Sequence, residues 1–295
     1  MTVNNRRRGW RLYATIAAAI AVAAVGYGSW REAVGLLPPP WAPPDARPYT
    51  VTRVVDGDTV VARDRSGGQA VRIRYLGIDA PEVAAGEPFA REATAANREM
   101  VEGRRVWVST DVKDTDEHGR RLGYVFADGR FVNRELVAAG YAEVMLIAPN
   151  VRYGDELVAA QAEARAAGRG MWGDVKVPGE PAELEQHVGS VVRLRGNVTG
   201  IMPGGDGRPT MIWIRPFPEP GPDGEAAGSS RPSTTVTVVV FPEFRDRFPP
   251  DMERDLAGQT VEVTGRLQER NGRFQIVLRE PGQLQVLVAA GSWTG

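Results

Sequence analysis

Short runs of alternating apolar and polar residues dominate most of this chain. Thr50 to Val55, Thr59 to Arg63 and Val71 to Leu76 are short and β-branched, and they are separated by Asp56-Gly57 and Ser66-Gly67-Gly68. They read as strands joined by turns. Glu87-Pro88-Phe89 then opens a helix, with proline at the first helical position. Phe89, Ala93, Ala96 and Met100 recur at helical spacing and are expected to face the core. Val106 to Val112 and Gly123 to Phe126 return to strand, and Asp128-Gly129 reads as a tight hairpin turn. Val132, Leu136 and Val137 form the inner face of a short helix stopped at Gly140. Tyr153 to Ala167 is a longer helix, apolar at Tyr153, Leu157, Ala160 and Ala164, and stopped at Gly168. Met171-Trp172 closes a unit of about five strands and three helices, which predicts a barrel flanked by helices.

A second β-rich unit follows the Val175 to Pro181 linker. Val191 to Val198, Thr210 to Ile214, Thr235 to Phe241, Thr260 to Leu267 and Phe274 to Leu278 read as five strands, with Asn271-Gly272 as a hairpin turn. Pro216 to Pro232 is rich in Pro, Gly and Ser and reads as a mobile surface loop; Pro250 to Leu256 is long enough for one or two helical turns. Five short strands with one helical insert predict an OB-type barrel.

The N-terminus has a different pattern. Arg6-Arg7-Arg8 and Arg11 precede a segment free of charge from Leu12 to Trp30, which as a helix would reach roughly 28 Å, about one bilayer core. Trp10, Tyr13, Tyr27 and Trp30 sit near its ends. The segment reads either as a transmembrane anchor or as a cleaved signal peptide with Ala21-Val22-Ala23 as the cleavage site. Both readings put the rest of the chain outside the cytoplasm. The expected organisation is a basic cytoplasmic tail (1–9), the anchor or signal (10–30), a stiff Pro-rich spacer (31–47), a first barrel domain (48–175), a linker (176–182) and a second barrel domain (183–290).

Composition narrows the chemistry. Hydrophobic content of 42% and charged content of 25% indicate a largely globular chain. There is no cysteine, and His118 and His187 are the only histidines, so thiolate and histidine metal sites are excluded or disfavoured. A metal site must then be built from oxygen, which points to Ca²⁺ or Mg²⁺. The net charge of -1 is not that of a uniformly basic nucleic-acid module, so nucleic acid must be met by a local patch. Candidate chemistry clusters at Val54-Val55-Asp56-Gly57-Asp58-Thr59-Val60, at Arg72 to Glu82 and at Asp116 to Arg121. Carboxylates and arginines spaced this way around turns suit a hard cation beside a phosphate.

Val-Asp-Gly-Asp-Thr (residues 55–59), Gly-Ile-Asp-Ala-Pro-Glu (77–82), Asp-x-x-Gly-Arg (116–120) and Tyr-x-x-Ala-Asp-Gly-x-x-Val-Asn-x-x-Leu-Val-x-x-Gly (124–140) occur in that order. Together they resemble the staphylococcal nuclease (thermonuclease) family, from about Tyr49 to Gly173. The resemblance implies an OB-type barrel with three helices and a Ca²⁺-dependent hydrolase of DNA and RNA phosphodiesters. By motif it assigns Asp58 and Asp79 as carboxylate ligands of Ca²⁺, the Ala80 carbonyl as a third ligand, and Thr59 as support through water. It assigns Glu82 to the attacking water, and Arg74 and Arg120 to the phosphate oxygens and the transition-state charge.

Two departures affect substrate binding. The family's base-binding tyrosines after Gly140 are replaced by Val144 to Pro149, which carries no aromatic ring, and Glu117 stands where a basic residue often assists the phosphate. A geometric demand also follows. Strict alternation puts Arg74 and Asp79 on opposite faces, so the strand must bend near Leu76-Gly77 for both to reach one site.

The second unit resembles OB-fold nucleic-acid-binding domains of the tRNA-anticodon-binding type, through Val188 to Val198 and Leu256 to Leu267. Arg193, Arg195, Arg266 and Arg273 are candidates to track a phosphate backbone, and Trp213 or Phe274 to stack on bases. The resulting expectation is a mainly β protein with flanking helices: two OB-type five-stranded barrels behind an N-terminal transmembrane helix. Its partners are DNA or RNA and, through that helix, the membrane, with no protein partner implied. The alternative is a catalytically inactive nucleic-acid-binding protein or an envelope scaffold.

Overall fold

The computed structural model describes residues 38–64, 68–178, 181–217 and 234–287. The expected anchor or signal at 10–30 and most of the 216–232 loop lie outside the described residues. Among the described residues no helix is long and apolar enough to cross a membrane.

The first barrel contains β1 (Arg47–Val54), β2 (Thr59–Asp64), β3 (Val71–Tyr75), β4 (Ile78–Asp79), β5 (Arg105–Ser109), β6 (Arg121–Ala127), β7 (Arg130–Phe131) and β8 (Glu143–Val144). Its helices are α1 (Ala90–Val101), α2 (Val132–Ala138) and α3 (Gly154–Ala166). Five strands run in the order β3-β2-β1-β5-β6, and a parallel β3–β6 pairing closes the barrel. Alternation along β1 buries Tyr49 and Val51 and then Val54, because a register shift between Val51 and Arg53 exchanges the faces.

The second barrel contains β9 (Val191–Met202), β10 (Thr210–Phe217), β11 (Val236–Val240), β12 (Thr260–Arg270), β13 (Arg273–Leu278) and β14 (Leu284–Val286), with short helices α4 (Pro242–Arg245) and α5 (Met252–Leu256). Its order β11-β10-β9-β12-β13, closed by the parallel β11–β13 pair, matches the first barrel strand for strand. Both are closed five-stranded barrels of OB type. The Asp128-Gly129 and Asn271-Gly272 turns form as expected, both residues of each at positive φ.

Several local expectations differ from the structure. α1 begins at Ala90, after Phe89 in a left-handed conformation (φ 65°), so Pro88 is not a helical residue. Its buried face is Ala90, Ala93, Thr94, Asn97 and Val101, with Ala96 and Met100 on the flank. The shift has a polar cause: Asn97 turns inward to accept from Tyr75 Oη (2.9 Å) and donate to the Asp56 carbonyl (3.0 Å). Phe89 instead joins an apolar patch with Trp172, Met171, Ala164 and Val191, which links the two barrels. β5 stops at Ser109, leaving Val112 exposed. The described part of the Pro-rich stretch is not a free spacer. Ala42 and Ala46 are buried against Leu76, Trp107, Tyr124 and Phe126, and Asp45 accepts from Ser109 and Arg152. The 176–182 linker is also partly tied down, because Lys176 bridges to β9.

Candidate active site

The demand for a bend between Arg74 and Asp79 is met at Gly77. β3 ends at Tyr75, Gly77 takes a left-handed φ of 75°, and β4 leaves in a new direction to pair with β8. A side chain there would be strained by the backbone and would meet Leu157 Cδ1 at 2.5 Å. Asn133 secures the bend, donating to the Leu76 carbonyl (2.8 Å) and accepting from the Val125 N–H (2.9 Å). As a result Arg74, rising from β3, reaches both carboxylates: Nε lies 3.1 Å from Asp58 Oδ1 and an Nη 2.9 Å from Asp79 Oδ1. Its other Nη donates to the Tyr75 and Ile78 carbonyls (2.8 and 2.7 Å). This one guanidinium therefore organises the whole bend.

Asp58 sits in the turn between β1 and β2. Asp56 Oδ1 accepts the Asp58 N–H at 3.0 Å, an Asx turn that shapes the loop. Gly57 is required by packing, since a Cβ there would lie 2.5 Å from Ala80 Cβ and 2.8 Å from Ala93 Cβ. The Asp58 carboxylate accepts from the Ala80 N–H (2.7 Å) and directly from the Thr59 hydroxyl (3.0 Å). Burial above all, helped by the charges of Asp56 and Asp79 and opposed by Arg74 and the Ala80 N–H, leaves the Asp58 carboxyl raised to about 7. Ala80 thus meets Asp58 through its N–H. Glu82 lies in the following turn with an exposed side chain and no ion pair among the described residues. Its backbone N–H donates to Glu87 Oε2 at 2.6 Å.

Arg120 belongs to a second turn. Asp116 accepts from the backbone N–H groups of His118 and Arg120 (2.9 Å each) and from Arg120 Nε (2.6 Å). Arg74 and Arg120 line one groove of about 350 Å³, with Lys113, Glu117, His118, Met145 and Ile147 around it. The structure therefore joins Asp58, Thr59, Arg74, Asp79 and Ala80 by direct contacts, sets Arg120 on the groove that Arg74 also lines, and leaves Glu82 outside these contacts. Among the described residues no group of three or more His, Asp or Glu side chains is arranged as a metal cage. The donors still suit an oxygen-ligated cation: a desolvated carboxylate with two further carboxylates near it favours added positive charge. Asn97 and Asn133 are both fully buried and support the site from behind; Asn97 carried no signal beyond being polar within an apolar helical face, whereas Asn133 stands in the 124–140 motif with no role attached to it.

The second barrel's candidates are distributed differently. Arg195 and Arg193 face Glu262 across the sheet, with Nε–O distances of 2.9 and 3.8 Å. Arg266 is buried against the first barrel, so it is not available to a phosphate backbone. Phe274 is half-buried against the core, and Trp213 is half-buried with its ring near Gly200. Arg270 and Arg273, which flank the Asn271-Gly272 turn, are exposed and have no ion pair among the described residues.

A small closed barrel thus carries two carboxylates joined by one arginine, beside a groove that a second arginine also lines. The family described as staphylococcal nuclease homologue matches residues 72–174, and the chain belongs to this family. It is 30% identical over 128 residues to a thermonuclease of Staphylococcus hyicus, covering 42% of this chain and 75% of that protein. It is 39% identical over 127 residues to an uncharacterized endonuclease of Escherichia coli O157:H7, covering 42% of this chain and 76% of that protein. With the SPbeta prophage-derived endonuclease YokF of Bacillus subtilis (strain 168) it shares 33% identity over 129 residues, covering 42% of this chain and 43% of that protein.

Proposed function

We propose that the chain is a Ca²⁺-dependent nuclease that hydrolyses phosphodiester bonds of DNA or RNA. The observation that carries this reading is the closure of Arg74 on Asp58 and Asp79 beside a groove that also holds Arg120. Asp58, Asp79 and the Ala80 carbonyl would hold the cation, with Thr59 fixing the Asp58 carboxylate. When bound, Ca²⁺ supplies Lewis-acid polarisation of a phosphoryl oxygen. Glu82, exposed and without an ion pair among the described residues, is suited to orient a water and take its proton. Arg74 and Arg120 present planar guanidinium groups that stay charged, which suits the oxygens of a phosphate as negative charge builds on it.

In this reading the chain acts outside the cytoplasm, because the Arg6-Arg7-Arg8 cluster precedes the uncharged Leu12 to Trp30 segment. The second barrel assists binding through Arg270 and Arg273. Arg270 lines a cleft of about 290 Å³ between the barrels, bounded also by Asp79, Ile147, Phe241 and Gln275. The test is hydrolysis of single-stranded DNA and RNA with Ca²⁺ and with chelator. Hydrolysis that stops with chelator and returns with Ca²⁺ is expected. Hydrolysis undiminished by chelator would remove the metal role. No hydrolysis under any condition would favour an inactive nucleic-acid-binding or scaffold protein. Separating membrane from soluble material and probing intact cells with protease tests the location.

A further inference from the structure

Arg266 breaks the alternation of its strand. Along β12, Val261, Val263, Gly265 and Leu267 face the barrel interior, while Glu262 and Thr264 on the outer face are half-exposed. Arg266 belongs to that outer face, yet it is only 4% exposed, because the first barrel covers it. Its Nε donates to the Gly189 carbonyl at 3.1 Å. One Nη donates to Glu87 Oε2, the oxygen that also accepts the Glu82 N–H. The other Nη lies 3.6 Å from Asp79 Oδ2 and 3.9 Å from Glu143 Oε2. A single guanidinium of the second barrel thus touches three carboxylates from three segments of the first.

Among the described residues the first barrel gives Asp79 a cation in Arg74 but gives Glu143 none. Asp79 and Glu143 are directly opposite in the β4–β8 pair, and Glu143 is fully buried. Like charges directly opposite destabilise such a pair, and a buried carboxylate needs a paired cation. The second barrel provides two: Arg266, and Arg279, with an Nη 3.1 Å from Glu143 Oε1 and its Nε donating to the Val144 carbonyl. Arg74 holds Asp79 through Oδ1, so Arg266 faces the opposite oxygen.

We propose that Arg266 is a positioning residue of the nuclease site, fixing Asp79 directly and Glu82 through Glu87, so that the working catalytic unit includes both barrels. The inference rests on the roles proposed above for Asp79 and Glu82. It is tested in the full chain with Arg266→Met, Arg266→Lys, Arg165→Met and Asp79→Asn. The readouts are kcat and KM on single-stranded DNA, calorimetric binding of Ca²⁺ alone, and thermal unfolding. Arg165→Met is the docking control, because Arg165 joins the barrels elsewhere, through Glu280 and the Gly282 carbonyl (2.9 Å each).

Losing an outer support of a metal ligand typically lowers activity by at least tenfold, so Arg266→Met should lower kcat by roughly that factor with KM within about twofold of the parent. Ca²⁺ should bind no more weakly, because a positive charge beside Asp79 has been removed. Arg266→Lys should recover part of the rate, and Arg165→Met should keep the parental kcat. The proposal is overturned by a parental kcat in Arg266→Met, by an equal loss in Arg165→Met, or by a kcat loss matched by weaker Ca²⁺ binding and a lower melting temperature. Should Arg266→Met not fold, Arg266→Lys decides, since a lysine cannot reach Glu87 and Asp79 together; a parental kcat then overturns the proposal. Undiminished Ca²⁺ binding by Asp79→Asn would instead remove the metal role of Asp79, a failure distinct from that of Arg266.

Discussion

In the first barrel Arg74 leaves β3 and closes on Asp58 and Asp79 at the edge of a groove; in the second, Arg195 leaves β9 and closes on Glu262 across a solvated sheet. The two barrels share strand order and parallel closure, and both use arginine opposite carboxylate. They differ in the surroundings of the pair. Around Arg74 the strand bends at Gly77, the loop carbonyls turn inward to the guanidinium, and burial raises the energy of the carboxylate charge. Around Arg195 the β9–β12 pairing keeps its register, with Glu262 directly opposite, and the ion pair is an outer cross-strand contact of modest worth. Shared strand order therefore does not by itself set what a barrel does, and a bend of a few residues is what brings Arg74 and both carboxylates together in the first.

The sharpest test of this contrast is the same conservative change in each barrel. Arg74→Lys keeps the charge but loses the fork, and kcat should fall by roughly a thousandfold, as with phosphate-stabilising arginines in other phosphoryl-transfer enzymes. Arg195→Lys should leave kcat near the parent. Equal effects on steady-state rates would erase the distinction. Next in size is Gly57→Ala, which forces a methyl between Ala80 and Ala93. It should cost about 1–3 kcal/mol, read by denaturant unfolding, and lower kcat as well. A stable, fully active variant would show that the close approach of α1 to the Ala80 loop is not needed.

A smaller effect is expected on affinity. Reversing Arg270 and Arg273 to Glu together should raise KM on a long single strand several-fold with kcat unchanged, and the effect should shrink as salt rises. The double change Arg193→Ala and Arg195→Ala should leave KM as it was, because both face Glu262. A rise in KM only for the second pair would reverse the assignment of the binding face.

The smallest effect is on acid stability. Burial alone would raise the Asp116 carboxyl, but hydrogen bonds from the Arg120 side chain and from backbone N–H groups outweigh it and hold the carboxyl below its ordinary 3.8. The folded state then binds fewer protons than the unfolded chain. The contribution is complete above pH 3.8 and is lost as pH falls through the lower folded value. Melting temperatures between roughly pH 2 and 5 should fall more steeply for the parent than for Asp116→Asn, and parallel curves would show that Asp116 adds nothing.

Much of the site was legible in the chain because its signals are local. Asp-Gly-Asp and Asp-Ala-Pro-Glu place carboxylates within turns, and the conflict of faces between Arg74 and Asp79 demanded a bend where Gly77 stands. The start of α1 is not legible in the chain because Pro88 is a generic helix-start signal, whereas the inward turn of Asn97 depends on Tyr75 and Asp56, remote in sequence.

The arginines of the second barrel mark the limit of such reading. Charge alone suggested a phosphate partner for Arg266. By itself the sequence determined two five-stranded barrels, the turns between their strands and the nearness of Asp58, Asp79 and Arg74, because hydrophobic period and turn chemistry act over a few residues. Only the tertiary structure decided that the outer face of β12 lies against the first barrel. Which charges neutralise Glu143 depends on docking between segments more than a hundred residues apart, and that choice leaves no local pattern in the chain.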